Sequence, residues 1–175
     1  MSPRGRLLVV GALALALLAQ TVRAAHRLES SALVLGVQHA MRTLGASPAP
    51  AATLRASAEA LRRAQRRDPA AVEPLAFEGD LLLVAGRLAD ADRAYHRAAL
   101  HEPRPEVLLH WGLALWKQGQ VEPGRIAEAV VQMRRGVALA PRMNEDVPAG
   151  ARTLVEAAPL LPIPPLVPPR ALPQR

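Results

Sequence analysis

Cysteine is absent from this sequence of 175 residues, and aromatic residues make up only 2% of it. The absence of cysteine excludes disulfide bonds, thiol catalysis and metal sites built on thiolates. Hydrophobic residues nevertheless form 50% of the composition, so the core must consist mainly of aliphatic side chains. Such a composition suits closely spaced helices better than sheets. The length allows one domain with short appendages.

Lysine is nearly absent as well. Lys117 is the single lysine beside 21 arginines, and the formal net charge is +7. The arginines are spread along the chain and are not interleaved with the aromatic residues that nucleic-acid surfaces use. We therefore expect no nucleic-acid partner.

No arrangement of residues in the sequence predicts a reaction. His96 and His101 are five residues apart, which places them about 140° apart around a helix, too far apart to bind one metal ion. The other histidine pairs do not have metal-binding spacing either. Glycine-rich phosphate loops, serine nucleophile elbows and haem attachment motifs are also missing. The sequence therefore predicts a protein that is not an enzyme, with no catalytic residue, metal, cofactor or small-molecule substrate.

The N-terminal segment, 1–24, has the layout of an export signal. Arg4 and Arg6 precede an apolar run that begins at Leu7 and ends at Val22. A charged start, an apolar run and a polar end are typical of bacterial export signals, and cleavage after Ala24 would release a periplasmic protein. The alternative is an uncleaved anchor, with the rest of the chain on the periplasmic side of the inner membrane.

Length separates these two interpretations only in part. About 16 apolar residues span about 24 Å as a helix, which is less than the ~30 Å hydrocarbon core of a bilayer. Arg23 and Arg27 have long side chains that extend toward the interface and reduce this deficit. Because the helical pattern continues past Ala24 without a break, the anchor is the favoured interpretation.

The most informative part of the chain is 68–141, where a pattern recurs. Prolines at 69, 103 and 141 each follow an Ala- and Leu-rich run, and the second interval is slightly longer than the first. Proline cannot continue a helix, so each is predicted to end one. Gly86 and Gly119 are predicted to end the preceding helices, since a residue just past a helix often has positive φ. Small residues that allow two helices to approach closely recur between the prolines: Gly79, Ala91 and Ala98, then Gly112, Ala129 and Gly136.

This pattern resembles the tetratricopeptide repeat (TPR), whose consensus is W-x2-L-G-x2-Y…A-x3-F…P over about 34 residues. Residues 72–103 match it at Gly79, Ala91, Tyr95 and Pro103, and residues 105–141 match it at Gly112, Leu115, Ala129 and Pro141. The second unit gains about five residues relative to the consensus, which predicts a longer turn at 120–124. The resemblance covers under half of the chain. It implies an all-α fold of TPR-like antiparallel helix pairs that form a short right-handed solenoid; a generic pair of helical hairpins is the alternative.

The flanking segments complete the predicted organisation. Helices are expected at 26–44 and 52–67, as a divergent first pair in which Gly36 and Gly45 mark a degenerate first helix. A closing helix is expected at 144–158, with Asp146 as its N-cap and with Leu154 and Val155 covering the last pair. Seven of the 17 residues in 159–175 are proline, which predicts an extended tail, either a free end or a strap that docks on another surface. The predicted divisions are 1–24, 25–50, 51–141, 142–158 and 159–175.

The resemblance also implies where a partner binds. In the TPR family the first helix of each pair lines a concave surface, and Trp116 would contribute most there because large aromatic side chains dominate interface energetics. Trp111, by contrast, is expected to pack in the core. We expect a membrane-anchored or periplasmic scaffold that binds other proteins of a bacterial cell-envelope complex; the alternative is a structural subunit fixed permanently in a large membrane or extracellular assembly. The residues carried over to the concave surface are Glu73, Ala76, Asp80, Leu83, Glu106, Leu109, Leu113, Trp116 and Lys117.

Overall fold

A computed structural model describes residues 3–44 and 50–157, with side chains described from residue 15 to 39 and from 50 to 157. The described residues form helices and no strand, which confirms the all-α prediction. Residues 45–49, between the first two predicted helices, and the proline-rich tail lie outside the described residues. In chain order the elements are α1 (Pro3–Leu44), α2 (Ala51–Arg67), α3 (Glu73–Val84), α4 (Leu88–His101), α5 (Pro105–Gly119), α6 (Arg125–Leu139), a 3-10 turn (Pro141–Asp146) and α7 (Ala149–Ala157).

The three prolines end helices as the sequence predicts. α2, α4 and α6 each stop two residues before one of them, and the intervening residue closes the helix with a backbone hydrogen bond to its last turn. The longer turn between α5 and α6 is also present, at 120–124.

The two glycines predicted to end the first helices differ from each other. Gly86 follows α3 in the left-handed conformation, with φ of +72°. The N–H of Arg87 donates a 2.9 Å hydrogen bond to the carbonyl of Leu82, which completes this C-terminal cap of the helix. Gly119 is the last residue of α5 and does not have positive φ, so that part of the prediction is wrong. Its role is close packing instead, since a Cβ atom there would lie 2.6 Å from Cγ1 of Ile126.

The α3–α4 and α5–α6 pairs each close where a glycine of the first helix faces a large side chain of the second. A Cβ atom on Gly79 would lie 2.6 Å from Cε1 of Tyr95, and one on Gly112 would lie 2.5 Å from Cγ of Met133. Tyr95 and Met133 are fully buried. The α5–α6 pair is antiparallel, because Gly119 at the end of α5 meets Ile126 at the start of α6.

The core is divided into three clusters along the chain of helices. The largest surrounds Tyr95 between α3, α4 and α5. A second joins α1, α2 and α3, where Val34 and Leu61 are buried together. The third joins α5 and α6 to the 3-10 turn and α7 through Met133 and Val155. Each helix therefore packs on its sequence neighbours, and α1 and α5 also contact α3.

α1 is one continuous helix that includes both the apolar run and the helix predicted at 26–44. Ion pairs of 3.7 Å between Arg27 and Asp68 and 3.2 Å between Glu29 and Arg67 join its middle to the end of α2. Gly36 is exposed and has no neighbour where a Cβ would be, so it makes no close helix contact of the kind seen at Gly79 and Gly112. Among the described residues, no helix is long and apolar enough to cross a bilayer.

The C-terminal end differs in detail from the prediction. Asp146 ends the 3-10 turn and is not an N-cap; α7 begins at Ala149, after Pro148. Val155 is buried against Met133, as expected of a helix that covers the last pair, whereas Leu154 is exposed. The physical reason is that residues 141–146 tighten into a 3-10 turn, which shifts the start of α7 and the face that it buries.

The glycine contact can be tested with a matched pair of substitutions. Gly79→Ala is expected to lower the free energy of unfolding by about 1–3 kcal/mol, because its methyl group overlaps the ring of Tyr95. Gly36→Ala adds the same methyl group to an open position within a helix, and we expect it to raise stability by up to about 1 kcal/mol. Chemical denaturation followed by circular dichroism measures both. Equal effects of the two substitutions would contradict the role of Gly79.

Candidate interaction surface

The nine residues of the predicted concave surface divide into three groups by burial. Glu106 and Lys117 are exposed, near opposite ends of α5. Leu109 is 4% exposed and lies in the third core cluster, so it packs inside the protein and is not presented to a partner. The other six are half-buried: Glu73, Ala76, Asp80, Leu83, Leu113 and Trp116.

Asp80 joins α3 to both neighbouring helices. Its Oδ1 accepts a hydrogen bond of 2.6 Å from the hydroxyl of Tyr95 on α4. The same oxygen lies 2.8 Å from Nδ1 of His110 on α5. The rings of Tyr95 and His110 meet edge to face, with centroids 6.3 Å apart. The carboxylate therefore connects a side chain in the core with one on the surface.

The environment of this cluster changes two pKa values. The hydrogen bond to Asp80 raises the pKa of His110 above its ordinary value of 6.5, although burial opposes the shift. The charges of Asp80, Glu106 and Asp146 act in the same direction as the hydrogen bond. Burial raises the pKa of Tyr95, with a further contribution from the charge of Asp80, so the phenol stays protonated and donates. The surface at His110 thus gains positive charge more readily than an isolated histidine would.

Trp116 lies at the seam between two core clusters. It packs against the large central cluster and against the cluster that includes α7. A Cβ atom on Gly150 of α7 would lie 3.5 Å from Cζ2 of its ring. Leu113, one turn earlier on α5, packs against the third cluster, the one that includes α7. α7 therefore covers part of the area that the sequence predicts for a partner.

Glu73 marks the other end of the surface. Its carboxylate pairs at 2.7 Å with Arg104, which also pairs with Glu102 at 2.7 Å, so the starts of α3 and α5 are held together by charge. A groove of about 630 Å³ opens beside Glu73 between α1 and α3, and Phe77 and Leu35 line it. This groove extends the predicted surface onto α1.

Trp111 packs in the core as expected, and it also has a polar partner. It is 3% exposed, and its Nε1 donates a 2.7 Å hydrogen bond to Asp92 of α4. The ring of His96 stacks on it with centroids 4.9 Å apart. Arg125 at the start of α6 lies 3.8 Å from the second oxygen of Asp92. These contacts of Trp111, His96, Asp92 and Arg125 link α4, α5 and α6.

The titratable pair Asp80 and His110 serves as a contact between helices α3 and α5. Within residues 15–39 and 50–157, no group of three or more His, Asp or Glu side chains is placed to hold a metal ion. The hydrogen bond between Asp80 and His110 fixes the ring between two helices.

Sequence reasoning identifies Asp80 but not its partners. It predicts no role for His110, although the separation of this residue from Asp80 is close to one repeat length. Neighbouring first helices of a repeat array are side by side, so polar residues near that separation are candidates for direct contact. Arg104 is missed for a similar reason, since its partner Glu73 is 31 residues earlier.

Comparison with known proteins adds no family assignment: no protein-family model, curated protein or solved structure matches this chain.

The hydrogen bond between Asp80 and His110 predicts a specific titration. Because the pKa of His110 is higher in the folded chain than in the unfolded one, the stabilisation from its charged form is complete below pH 6.5 and is lost as pH rises through the folded value. NMR titration of the ring should give a pKa above 6.5. Asp80→Asn should lower this pKa toward the ordinary value, and Glu106→Gln, a control at a weaker and more distant charge, should lower it less. A pKa at or below 6.5 in the unmodified protein would contradict this geometry of the site.

Proposed function

We propose that this protein is a TPR-like interaction scaffold that holds another protein of the cell envelope on the surface formed by α3 and α5. The proposal includes a short solenoid of antiparallel helix pairs and an N-terminal anchor in the inner membrane, with the helical module on the periplasmic side. It extends the resemblance of the sequence to the TPR family.

The repeated contact between glycine and a large side chain is the observation that carries the proposal. Gly79 against Tyr95 and Gly112 against Met133 place equivalent positions of two sequence units in equivalent packing roles. In a repeat array each unit contacts only its neighbours, which leaves one long surface free for binding. The contacts of α3 with α5 agree with this arrangement.

The chemistry of the surface supports a protein partner. Exposed charges of both signs, Glu106 and Lys117, lie along α5 with the half-exposed ring of His110 between them. The bond to Asp80, which Tyr95 also contacts, holds that ring in place. A rigid, mixed-charge surface loses little conformational entropy when a partner binds.

The proposed location depends on α1. The apolar run and the segment that packs on α2 belong to the same helix, so an anchor would be joined rigidly to the scaffold. This continuity favours the anchor over the cleaved signal. The proline-rich tail, outside the described residues, would then be available as a second attachment.

The partner surface is tested by exchanging charges without changing the net charge. Glu106→Lys combined with Lys117→Glu should reduce recovery of partner proteins from solubilised native membranes by at least about tenfold, or ~1.4 kcal/mol. Glu59→Lys combined with Arg63→Glu makes the same exchange at two exposed positions of α2 and should leave recovery unchanged. If both double variants keep the partner, the proposed surface is wrong.

The same experiment distinguishes the alternative function. A permanent structural subunit would keep its neighbours after the α5 exchange but would lose them when residues 159–175 are removed. A scaffold that binds its partner on the α3–α5 surface would lose the partner after the α5 exchange and keep it when residues 159–175 are removed. A chain that recovers no partner under either condition would contradict both functions.

The proposed anchor predicts the mass of the mature protein. Intact mass spectrometry of the membrane fraction of the native cell should find the chain beginning at or next to Met1, because an anchor is retained. A chain that begins near Ala25 and is recovered in the soluble fraction would show instead that the signal is cleaved and that the scaffold is a free periplasmic protein.

A further inference from the structure

α1 carries two apolar faces, and the other residues that the structure describes cover only one of them. The covered face holds Val34 and Val37, which pack with residues of α2 and α3, and Ser30, which is also buried. Leu28 and Leu35 belong to the other face and are 73% and 62% exposed. With about 100° per residue, the centres of the two faces are about 140° apart around the helix. A helix that is apolar on opposite sides normally has a partner on both.

The exposed face has the spacing of a coiled-coil stripe. From residue 18 to residue 39 its members follow alternating steps of three and four residues through three complete heptads, and every one of them is exposed. This spacing keeps one stripe in register with a second helix wound around it. The buried residues Ser30 and Val37 occupy the heptad position that points directly away from the stripe. We call this stripe the α1 stripe; it consists of Leu18, Thr21, Ala25, Leu28, Ala32, Leu35 and His39.

We propose that two copies of this chain pair through the α1 stripe as a parallel coiled coil. A stripe of this kind can pack against an identical stripe, so a second copy of the chain would bury it without any other partner. Leucines alternate with alanines in its central part, which lets two helices approach closely and fills the space between them.

The flanking positions are compatible with a second copy. In a parallel pair, residues on one side of each stripe face those on the other side of the partner stripe, and like charges there would oppose pairing. Glu29 is the single charged residue among them, and it already pairs with Arg67 of its own chain. The flanking residues are Ala24, Ser31 and Gln38 on one side and Val22, Glu29 and Gly36 on the other.

The position of the helical module also permits pairing. α2 and α3 lie on the opposite side of α1, so two modules joined through their α1 stripes extend away from each other. Leu35 borders the groove between α1 and α3, and its outer side remains accessible. The residues of α3 and α5 in the proposed partner surface do not belong to the α1 stripe, and Leu35 alone is shared with the groove beside Glu73. The parallel direction rests on the proposed anchor, which places both N-termini at one membrane; the pairing itself does not.

The absence of cysteine makes a direct test possible. Leu35→Cys in the full-length chain, oxidised in native membranes or in mild detergent, should form a disulfide-linked dimer. Val84→Cys is the matched control, because Val84 is an apolar residue of α3 with the same 62% exposure outside the α1 stripe. We expect on the order of tenfold more dimer from Leu35→Cys, since a disulfide forms only when two Cβ atoms approach within about 4.5 Å.

A second variant tests pairing without a cross-link. Leu28→Arg combined with Leu35→Arg places charges in the α1 stripe at exposed sites and should convert the dimer to a monomer by light scattering in detergent, with unchanged helical content. A monomeric unmodified chain, or a dimer that survives both arginines, would overturn the proposal. A dimer in which Leu35→Cys does not cross-link would overturn the parallel arrangement.

Other occupants of the α1 stripe give different results. If residues 159–175 of the same chain cover it, the unmodified chain is a monomer, and removing the tail increases the reactivity of Leu35→Cys toward a maleimide. That result would overturn the proposed pairing. Failure of the membrane anchor appears separately, as a cleaved chain in the soluble fraction. That chain would lack Leu18 and Thr21 but would keep the α1 stripe from Ala25 to His39, including both test positions, Leu28 and Leu35.

Discussion

Close approach of the two helices in the α3–α4 and α5–α6 pairs is the constraint on which the structure depends. At Gly79 and Gly112 there is no room for a single additional carbon, because Tyr95 and Met133 fill the space beside the glycine backbone. Since aromatic residues are so scarce in this chain, few large side chains are available to fill gaps between helices. Packing density must instead come from small residues that reduce the distance between helix axes. The buried alanines of α4 serve the same purpose.

This packing also determines what the surface can present. Tyr95 is fixed in the core by its contact with Gly79, and its hydroxyl fixes Asp80, which in turn fixes His110. The contact of Tyr95 with Gly79 in the core therefore sets the orientation of the half-exposed His110 ring. Trp116, in contrast, is a predicted surface residue whose ring packs partly in the core. It contacts the cluster that includes α7 as well as the central cluster, so only part of the ring is presented on the surface.

The sequence predicts the features that depend on backbone chemistry and misses those that depend on where α7 and α1 pack. Proline positions determine the ends of α2, α4 and α6, and Gly86 has the left-handed conformation expected of it, because both effects are local. The prediction for Gly119 is wrong because a glycine near a helix end serves equally well for close packing. The burial of Leu109 depends on α7, whose predicted start is displaced by the 3-10 turn before it.

The continuity of α1 relates the proposed anchor to the proposed partner surface. Ion pairs place the end of α2 beside positions 27–29 of α1, just beyond the apolar run. The chain then turns directly into α3, and Arg104 holds the start of α5 beside Glu73. The surface therefore begins near the level of the apolar run and extends away from it along α5, whose 15 residues measure about 22 Å. A partner bound along this surface would therefore lie beside the proposed anchor, on the side of the apolar run that carries the helical module.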